Sequence, residues 1–554
     1  MEFNFNSVNK MFESSFQQNW ERPALSNYNG MTLCYKDVAR RVEELHIMYA
    51  ECGLKKGDKV AICGKNHANW AVAFISALTY GAVPVPILHE FKSGNIHHLV
   101  NHSESKVLFV DDQVWENLNE AEMPGLEAVV QINALKLLES RNPEAYSLQE
   151  NITALVDRKY PQGFGPQCLS YYEDKADDLA VINYTSGTSG FSKGVMLTYL
   201  NLWGNITFAR KVHSQMNNRS NIISILPSAH MYGLMFEVLF QLVQGVHIHF
   251  LTRLPSPKII LLAMAEIKPD LIISVPLVIE KIYKTMIKPE LEKVDFENAC
   301  RTVPGFEEKF LAGMRTRMVE AFGGRFKEMI IGGAAFNREV EQFLHRMKFP
   351  FTVGYGMTEC GPIIAYAPWD EARVGSSGKA APFMEISIDS KDPVAVPGEI
   401  LCRGANVFSG YYNNPESTKQ VFTKDGWFRT GDMGVVDADG YLYIKGRNKC
   451  MILGPSGQNI YPEEMESVIN NMKYVVDSLV IEDDGGLTAL IYPDLHQAEL
   501  DGMDKDALQK FLEDSMAVTN KEFPNYSKIV KIEIMPEDFE RTPKKSIKRY
   551  LYQR

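Results

Sequence analysis

Leu179-Ala180-Val181-Ile182, followed after Asn183 by Tyr184-Thr185-Ser186-Gly187-Thr188-Ser189-Gly190-Phe191-Ser192-Lys193-Gly194, is the stretch from which the rest of the chain is best read. Four consecutive apolar residues predict a buried strand. The loop leaving it carries Gly187, Gly190 and Gly194, which let backbone amides come close to an anion. The hydroxyls of Thr185, Ser186, Thr188 and Ser189 can donate to phosphate oxygens, and Lys193 adds a point charge. That is the chemistry of a polyphosphate cradle at a strand end, where α/β sheets bind nucleotides. It is not the common P-loop, which requires Gly, four residues, then Gly-Lys-Ser/Thr; here Lys193 stands three residues after Gly190 and precedes Gly194. A flexible Gly/Ser turn is the competing reading, and the ordered spacing closed by a lysine weighs against it.

On the N-terminal side, residues 31–48 open with a short strand-like run and continue as an amphipathic helix with Val38, Val42 and Leu45 on one face. Lys59-Val60-Ala61-Ile62-Cys63, an apolar helix over 70–78 and a strand over 83–87 make a βαβ unit. Val107-Leu108-Phe109-Val110 and Ala128-Val129-Val130 continue the alternation. Residues 142–178 show little periodicity and predict an irregular connection. Downstream, Ile222-Ile223-Ser224-Ile225-Leu226 runs into Pro227-Ser228-Ala229-His230, whose histidine is a base, a pocket wall or a packed, hydrogen-bonded core group. Strands are expected over 246–251 and 271–275, and again at Glu328-Met329-Ile330-Ile331, which runs into Gly332-Gly333-Ala334. Thr352-Val353-Gly354-Tyr355-Gly356-Met357-Thr358-Glu359-Cys360-Gly361 then sets an aromatic, a hydroxyl and a carboxylate between glycines. Each loop alone is weak, but three that follow strands of one expected sheet would converge on a single nucleotide crevice.

From residue 398 to 446 the texture changes to short strands with Asp425-Gly426 and Asp439-Gly440 turns, which predicts antiparallel hairpins closing into a small barrel. Beyond Arg447, Pro462-Glu463-Glu464-Met465 begins a helix whose stripe is Met465, Val468, Ile469 and Met472. Strands over 475–481 and 487–492, a helix bearing Leu508, Phe511, Leu512 and Met516, and a strand over 529–535 complete a unit large enough to fold alone. The expected fold class is therefore α/β. A large N-terminal domain of parallel, helix-covered sheets plus a small barrel occupies residues 1–447, and a small α+β C-terminal domain occupies 448–554.

At 554 residues the chain needs more than one core, and a net charge of -11 argues against nucleic acid as a partner. No basic segment followed by an apolar core opens the sequence, so no secretory signal is expected. The apolar stretch 71–88 is interrupted by Gly81, Pro84 and Pro86 and reads as helix, turn and strand rather than a membrane span. The eight cysteines form no Cys-x-x-Cys pair, which favours reduced thiols over disulfides or zinc. A cytoplasmic enzyme is the expectation.

Taken in order, the opening loop, 354–361, Thr430-Gly431-Asp432, Gly446-Arg447 and Gly457-Gln458-Asn459-Ile460-Tyr461-Pro462-Glu463-Glu464 resemble the motif set of the adenylate-forming (AMP-binding) superfamily, over nearly the whole chain from about residue 21 to 550. Within it the layout looks like a fatty acyl-CoA ligase. The resemblance implies that a carboxylate attacks the α-phosphate of magnesium-ATP and that the thiol of coenzyme A then displaces AMP. It implies that residues 185–193 hold the pyrophosphate portion: Thr185, Ser186, Gly187, Thr188, Ser189, Gly190 and Lys193. By the same resemblance Tyr355 stacks on adenine, Thr358 contacts the α-phosphate, Glu359 binds magnesium, and Asp432 and Arg447 take the ribose hydroxyls. His230, Gly332, Gly333, Ala334 and Gly354 would border the acyl pocket; Lys449 would be a hinge for rotation of the C-terminal domain and Gly457 part of the CoA path.

One position departs from the family. The usual catalytic lysine precedes the aliphatic residue in Thr-Pro-x-x-Lys-Ile-Lys-Arg, whereas this chain reads Thr542-Pro543-Lys544-Lys545-Ser546-Ile547-Lys548-Arg549 and places Ser546 there. Serine supplies no charge, and one electrostatic donor to developing phosphate charge is worth about 3–4 kcal/mol. In an extended segment Lys544 and Lys548 share the face of Ser546 at about 7 Å, while Lys545 is adjacent and swings in only from an irregular loop. Lys545 is the candidate substitute. The resulting expectation is an AMP-forming fatty acid-CoA ligase acting on a medium- or long-chain acid. The alternatives are an acyl-AMP ligase that loads a carrier protein, or a nucleotide-binding homologue impaired by Ser546.

Overall fold

The computed structural model describes residues 3–185, 192–252, 256–453, 459–483, 486–542 and 547–554. The first sheet has five strands in the order Val83–Ile87, Lys59–Cys63, Ser105–Val110, Ala128–Gln131 and Lys136–Ser140. The first four are parallel and the last is antiparallel. The helix Ala68–Tyr80 crosses between Lys59–Cys63 and Val83–Ile87 and is buried along almost its whole length. Its sequence, apolar apart from Asn69, Ser76, Thr79 and the terminal Tyr80, requires that, since a helix apolar on nearly every face has little to offer water. It stops at Gly81, which is left-handed (φ 86°) and so close to Tyr172 that an added Cβ would stand 2.9 Å from the ring.

The strands expected to form one sheet divide among several. Asn221–Ser224, His247–Phe250 and Pro23–Asn27 run parallel, with Thr32–Cys34 antiparallel at the edge. Leu271–Ser274, Glu328–Ile331 and Phe351–Val353 form a separate parallel sheet. Leu179–Thr185 belongs to neither: it pairs antiparallel with Lys193–Thr198, and Gly410–Tyr411 adds a third strand. The opening loop is thus the connection of a hairpin. An apolar run shows that a strand is buried, whereas its pairing partner is set by distant segments.

A second correction concerns 142–178, which holds the helices Glu144–Glu150 and Ile152–Lys159, with Asn151 ending one and beginning the other. Only Ala145 and Val156 of these helices are buried, so no apolar stripe reveals them. The hairpins after residue 380 form a four-stranded antiparallel sheet of Met384–Asp389, Gly398–Gly404, Phe428–Val436 and Leu442–Arg447.

The C-terminal segment builds its own apolar cluster from Ile460, Met465, Ile469, Val480, Leu512 and Met516 among others, separate from the large core. Its helix Pro462–Ile469 begins with proline and has Glu463 and Glu464 in the first turn. The strands Val475–Asp483 and Gly486–Pro493 are antiparallel, and Ile529–Ile534 lies parallel to the second. Polar contacts join this unit to the rest: Lys284 Nζ donates to Val475 O (2.7 Å), Asn337 Nδ2 to Ser467 O (3.3 Å), and Lys445 pairs with Glu464 (3.2 Å). All eight cysteines are free thiols. Among the described residues no helix is long and apolar enough to cross a membrane.

Candidate active site

The hairpin places Thr185 directly opposite Lys193, at the mouth of the loop. Residues 186–191, and with them Ser186, Gly187, Thr188, Ser189 and Gly190, lie outside the described residues. Because Tyr411 pairs with Val195 on the third strand, its ring comes under Lys193, with Nζ 4.8 Å from the ring centroid. The Tyr411 hydroxyl donates to Glu359 Oε1 at 3.0 Å. Burial pushes that phenol up, so it stays a donor. Glu359 sits with Thr358 on a single 3-10 turn, Thr358–Cys360, and is only 8% exposed. The backbone N–H of Phe408 donates to its carbonyl oxygen at 2.9 Å and ties this turn to the approach of the Gly410–Tyr411 strand. A cation, a phenol and a carboxylate are thus linked in series.

A second cluster forms beside it. Asp432 and Arg447 face each other in the register of neighbouring strands, with Arg447 Nε 3.4 Å from Asp432 Oδ1. The Tyr355 hydroxyl donates to Asp432 Oδ2 at 2.6 Å. Burial raises the Asp432 carboxyl, and the Arg447 charge and the Tyr355 hydrogen bond oppose that rise. Three residues separated by 77 and 15 positions of sequence meet because Tyr355 follows a parallel strand while the other two belong to the antiparallel sheet.

Tyr355 of the second cluster and Thr358, the neighbour of Glu359 in the first, line one pocket. Its lining includes His230, Gly332, Gly333, Gly354, Tyr355 and Thr358. Gly333 has φ 87°, a left-handed conformation that favours glycine, and a Cβ on Gly332 would stand 3.4 Å from the Tyr232 ring. His230 is both wall and cap, since its Nδ1 accepts from Tyr232 N (3.3 Å) at the start of the turn Met231–Gly233. Ala334 is exposed and stands outside the lining. The lining also holds the aromatic residues Phe208, Phe236 and Tyr366.

Lys449 is exposed on the turn Asn448–Cys450, immediately after the strand that carries Arg447. Gly457, Lys545 and Ser546 fall outside the described residues. Lys548 is engaged elsewhere, 3.0 Å from Glu540 Oε2. The site residue that sequence reasoning missed is Tyr411. Its signal was the Gly410-Tyr411-Tyr412 run, short enough to pass for a loop until its pairing with the hairpin is known.

This fold and site define a nucleotide-handling enzyme of two unequal units. The AMP-binding enzyme family matches residues 12–412, and the AMP-binding enzyme C-terminal domain matches residues 451–554. The chain belongs to that family. Among curated relatives it is similar to the long-chain-fatty-acid–CoA ligase FadD15 of Mycobacterium bovis, with 28% identity over 81% of this chain and 74% of that one. It is also similar to luciferin 4-monooxygenase of Photuris pensylvanica, with 25% identity over 82% and 78%. Among solved structures, ATP-bound MatB from Rhodopseudomonas palustris superposes with a TM-score of 0.77 at 23% identity, covering 99% of this chain and 98% of that one. The o-succinylbenzoate coenzyme A synthetase MenE of Bacillus subtilis, in complex with ATP and magnesium, gives a TM-score of 0.74 at 20% identity over 98% of each chain. At these identities the structures share the fold.

Proposed function

We propose that this protein is an ATP-dependent acid-thiol ligase that adenylates a carboxylic acid and passes the acyl group to coenzyme A, the acid being a medium- or long-chain fatty acid. The observation that carries the reading is that Tyr355, tied to Asp432 and Arg447, and Thr358, on the same turn as the Tyr411-bonded Glu359, line one largely apolar pocket. Similarity to long-chain-fatty-acid–CoA ligases supports the choice of acid.

In the first step an oxygen of the acid attacks the α-phosphorus and pyrophosphate leaves. Lys193 faces the leaving group from the loop mouth, and Thr358 donates to the α-phosphate. The Tyr355 ring offers a face to the adenine, and Asp432 accepts from the ribose hydroxyls. Glu359 fits a magnesium ion: Oε1 is oriented by Tyr411, and Oε2 has no hydrogen bond among the described residues, so a hard oxygen is left to offer. The ion, when bound, neutralises phosphate charge. In the second step the thiol attacks the acyl carbonyl and AMP leaves. The C-terminal unit is held by polar contacts and has its own core, which suits rotation about Lys449 between the two steps.

Pyrophosphate release dependent on both a fatty acid and coenzyme A tests the proposal. No turnover with any acid from four to eighteen carbons would sink the choice of fatty acids. Transfer to a phosphopantetheinylated carrier protein but not to coenzyme A would replace the acceptor. Ser546 favours one second reading, a homologue weak in adenylation. Ser546→Lys decides it: a large gain in pyrophosphate exchange supports impairment, and equal rates exclude it.

A further inference from the structure

The pocket wall holds a second histidine that the adenylation chemistry does not use. His213 follows the helix Tyr199–Val212 as its cap, and its backbone N–H donates to Ala209 O at 2.9 Å, which fixes where the imidazole can reach. The ring lines the pocket beside Phe208, Phe236 and Tyr366. It meets the Tyr366 ring nearly edge-on, with centroids 5.9 Å apart. The residue is 2% exposed, and neither ring nitrogen has a hydrogen-bond partner among the described residues. The neighbouring phenols are satisfied: Tyr232 donates to Ser274 O and Ile330 O, and Tyr366 donates to Glu328 Oε2 at 2.7 Å. Glu328 Oε2 is 3.6 Å from His213 Nδ1, too far for a hydrogen bond, and Oε1 accepts from Trp369 N.

Buried polar atoms left unpaired are destabilising, and in native proteins they mark function or an ordered water. Water is poorly served here, because it needs two to four polar partners and the surrounding wall is aromatic. Burial pushes the imidazole down to about 4, so at neutral pH it offers one N–H and one lone pair and no charge. A carboxylate is also a poor occupant, since a neutral imidazole offers it no charge and burying an unpaired charge is costly. A neutral hydroxyl or keto oxygen is the group that suits the site.

We infer that His213 is a specificity-determining residue that hydrogen-bonds a neutral hydroxyl or oxo substituent carried on the acyl chain away from its carboxylate. This rests on the ligase reading of the site and narrows its substrate class to oxygenated acids.

The test is an acid panel with ATP and coenzyme A, pairing each straight-chain acid with hydroxy and oxo derivatives of the same length, the substituent moved along the chain. The wild-type enzyme is expected to favour one substituted position over the plain acid by about tenfold in kcat/KM, the scale of one neutral hydrogen bond. His213→Phe, which keeps an aromatic ring but no donor, should remove that preference through KM for the substituted acid, so that substituted and plain acids of one length are used with equal kcat/KM. His213→Gln should retain part of it, and the wild-type panel with this variant suffices if the Phe variant does not fold. Equal wild-type kcat/KM for plain and substituted acids means that water satisfies the imidazole and overturns the inference alone, as does a uniform loss with every acid in both variants. Absence of AMP formation with any acid overturns the ligase reading and the inference together.

Discussion

Asp432→Asn separates a nucleotide-binding carboxylate from one that merely pins a hairpin. The residue is 8% exposed, and its side chain accepts from Tyr355 at 2.6 Å and faces Arg447 at 3.4 Å. Asparagine keeps the shape and one acceptor for Tyr355 but removes the charge. In the unliganded protein two changes oppose each other. The Tyr355 hydrogen bond weakens by about 1 kcal/mol, whereas relief from burying a carboxylate, whose burial raises it, works in the other direction. The ion pair adds little, since Arg447 is largely exposed. Net stability should therefore change by less than about 1 kcal/mol. With nucleotide bound, two ribose hydroxyls each lose a charge-assisted acceptor, and at about 1–1.5 kcal/mol apiece AMP binding should weaken by roughly 30- to 150-fold. Titration calorimetry with AMP, alongside urea denaturation, reads both quantities. The raised carboxyl also means that acid should weaken AMP binding in the wild type from a higher pH than an ordinary aspartate would give, and that the variant lacks this limb. An AMP Kd within about threefold of wild type, coupled to a clear loss of stability, would refute the ribose role and leave Asp432 as a strand fastener.

Tyr411→Phe removes the hydroxyl that orients Glu359 but keeps the ring beneath Lys193, so the magnesium requirement of pyrophosphate exchange should move up by about tenfold; an unchanged magnesium titration counts against Glu359 as the ligand. Glu237 is fully buried, accepts from Ser224 Oγ and the N–H groups of Ile225 and Leu226, and is pushed up by burial to about 8. The folded state thus holds its proton where the unfolded state has lost it. The stability it contributes is present below the ordinary glutamate range and is lost by about 1.4 kcal/mol per unit as pH rises toward 8. Glu237→Gln should flatten that slope in denaturation midpoints taken from pH 5 to 8.5, and a slope identical to wild type would contradict it. Lys449→Pro fixes one dihedral of the turn after Arg447; pyrophosphate exchange should stay within about threefold while thioester formation falls more than about tenfold, and equal losses in both steps would remove Lys449 as a hinge.

What the sequence made legible divides along a physical line. Elements whose identity depends on their own residues were readable: the apolar helix Ala68–Tyr80, the apolar strand Lys59–Cys63 beside it, and the proline-led helix Pro462–Ile469. Pairings that depend on distant segments were not. Leu179–Thr185 opens with the same kind of apolar run as the parallel strands, yet it folds back on Lys193–Thr198, a pairing that shows only once that strand and Gly410–Tyr411 are placed. The same holds in the site. Lys193 declared itself by its company of glycines and hydroxyls, and Asp432 and Arg447 only through a family resemblance, since an aspartate in a turn and an arginine after glycine are ordinary features. Tyr411 left only the short Gly410-Tyr411-Tyr412 run, and His213 left no local trace. One becomes a site residue because a three-stranded sheet carries its ring under Lys193, and the other because the cap of a helix ends in the pocket wall. Chemistry that is stored in a side chain can be read in one dimension. Chemistry that arises from an unsatisfied atom, such as the His213 ring nitrogens, exists only once every possible partner has been placed, and for that reason substrate specificity was the property least visible in the chain.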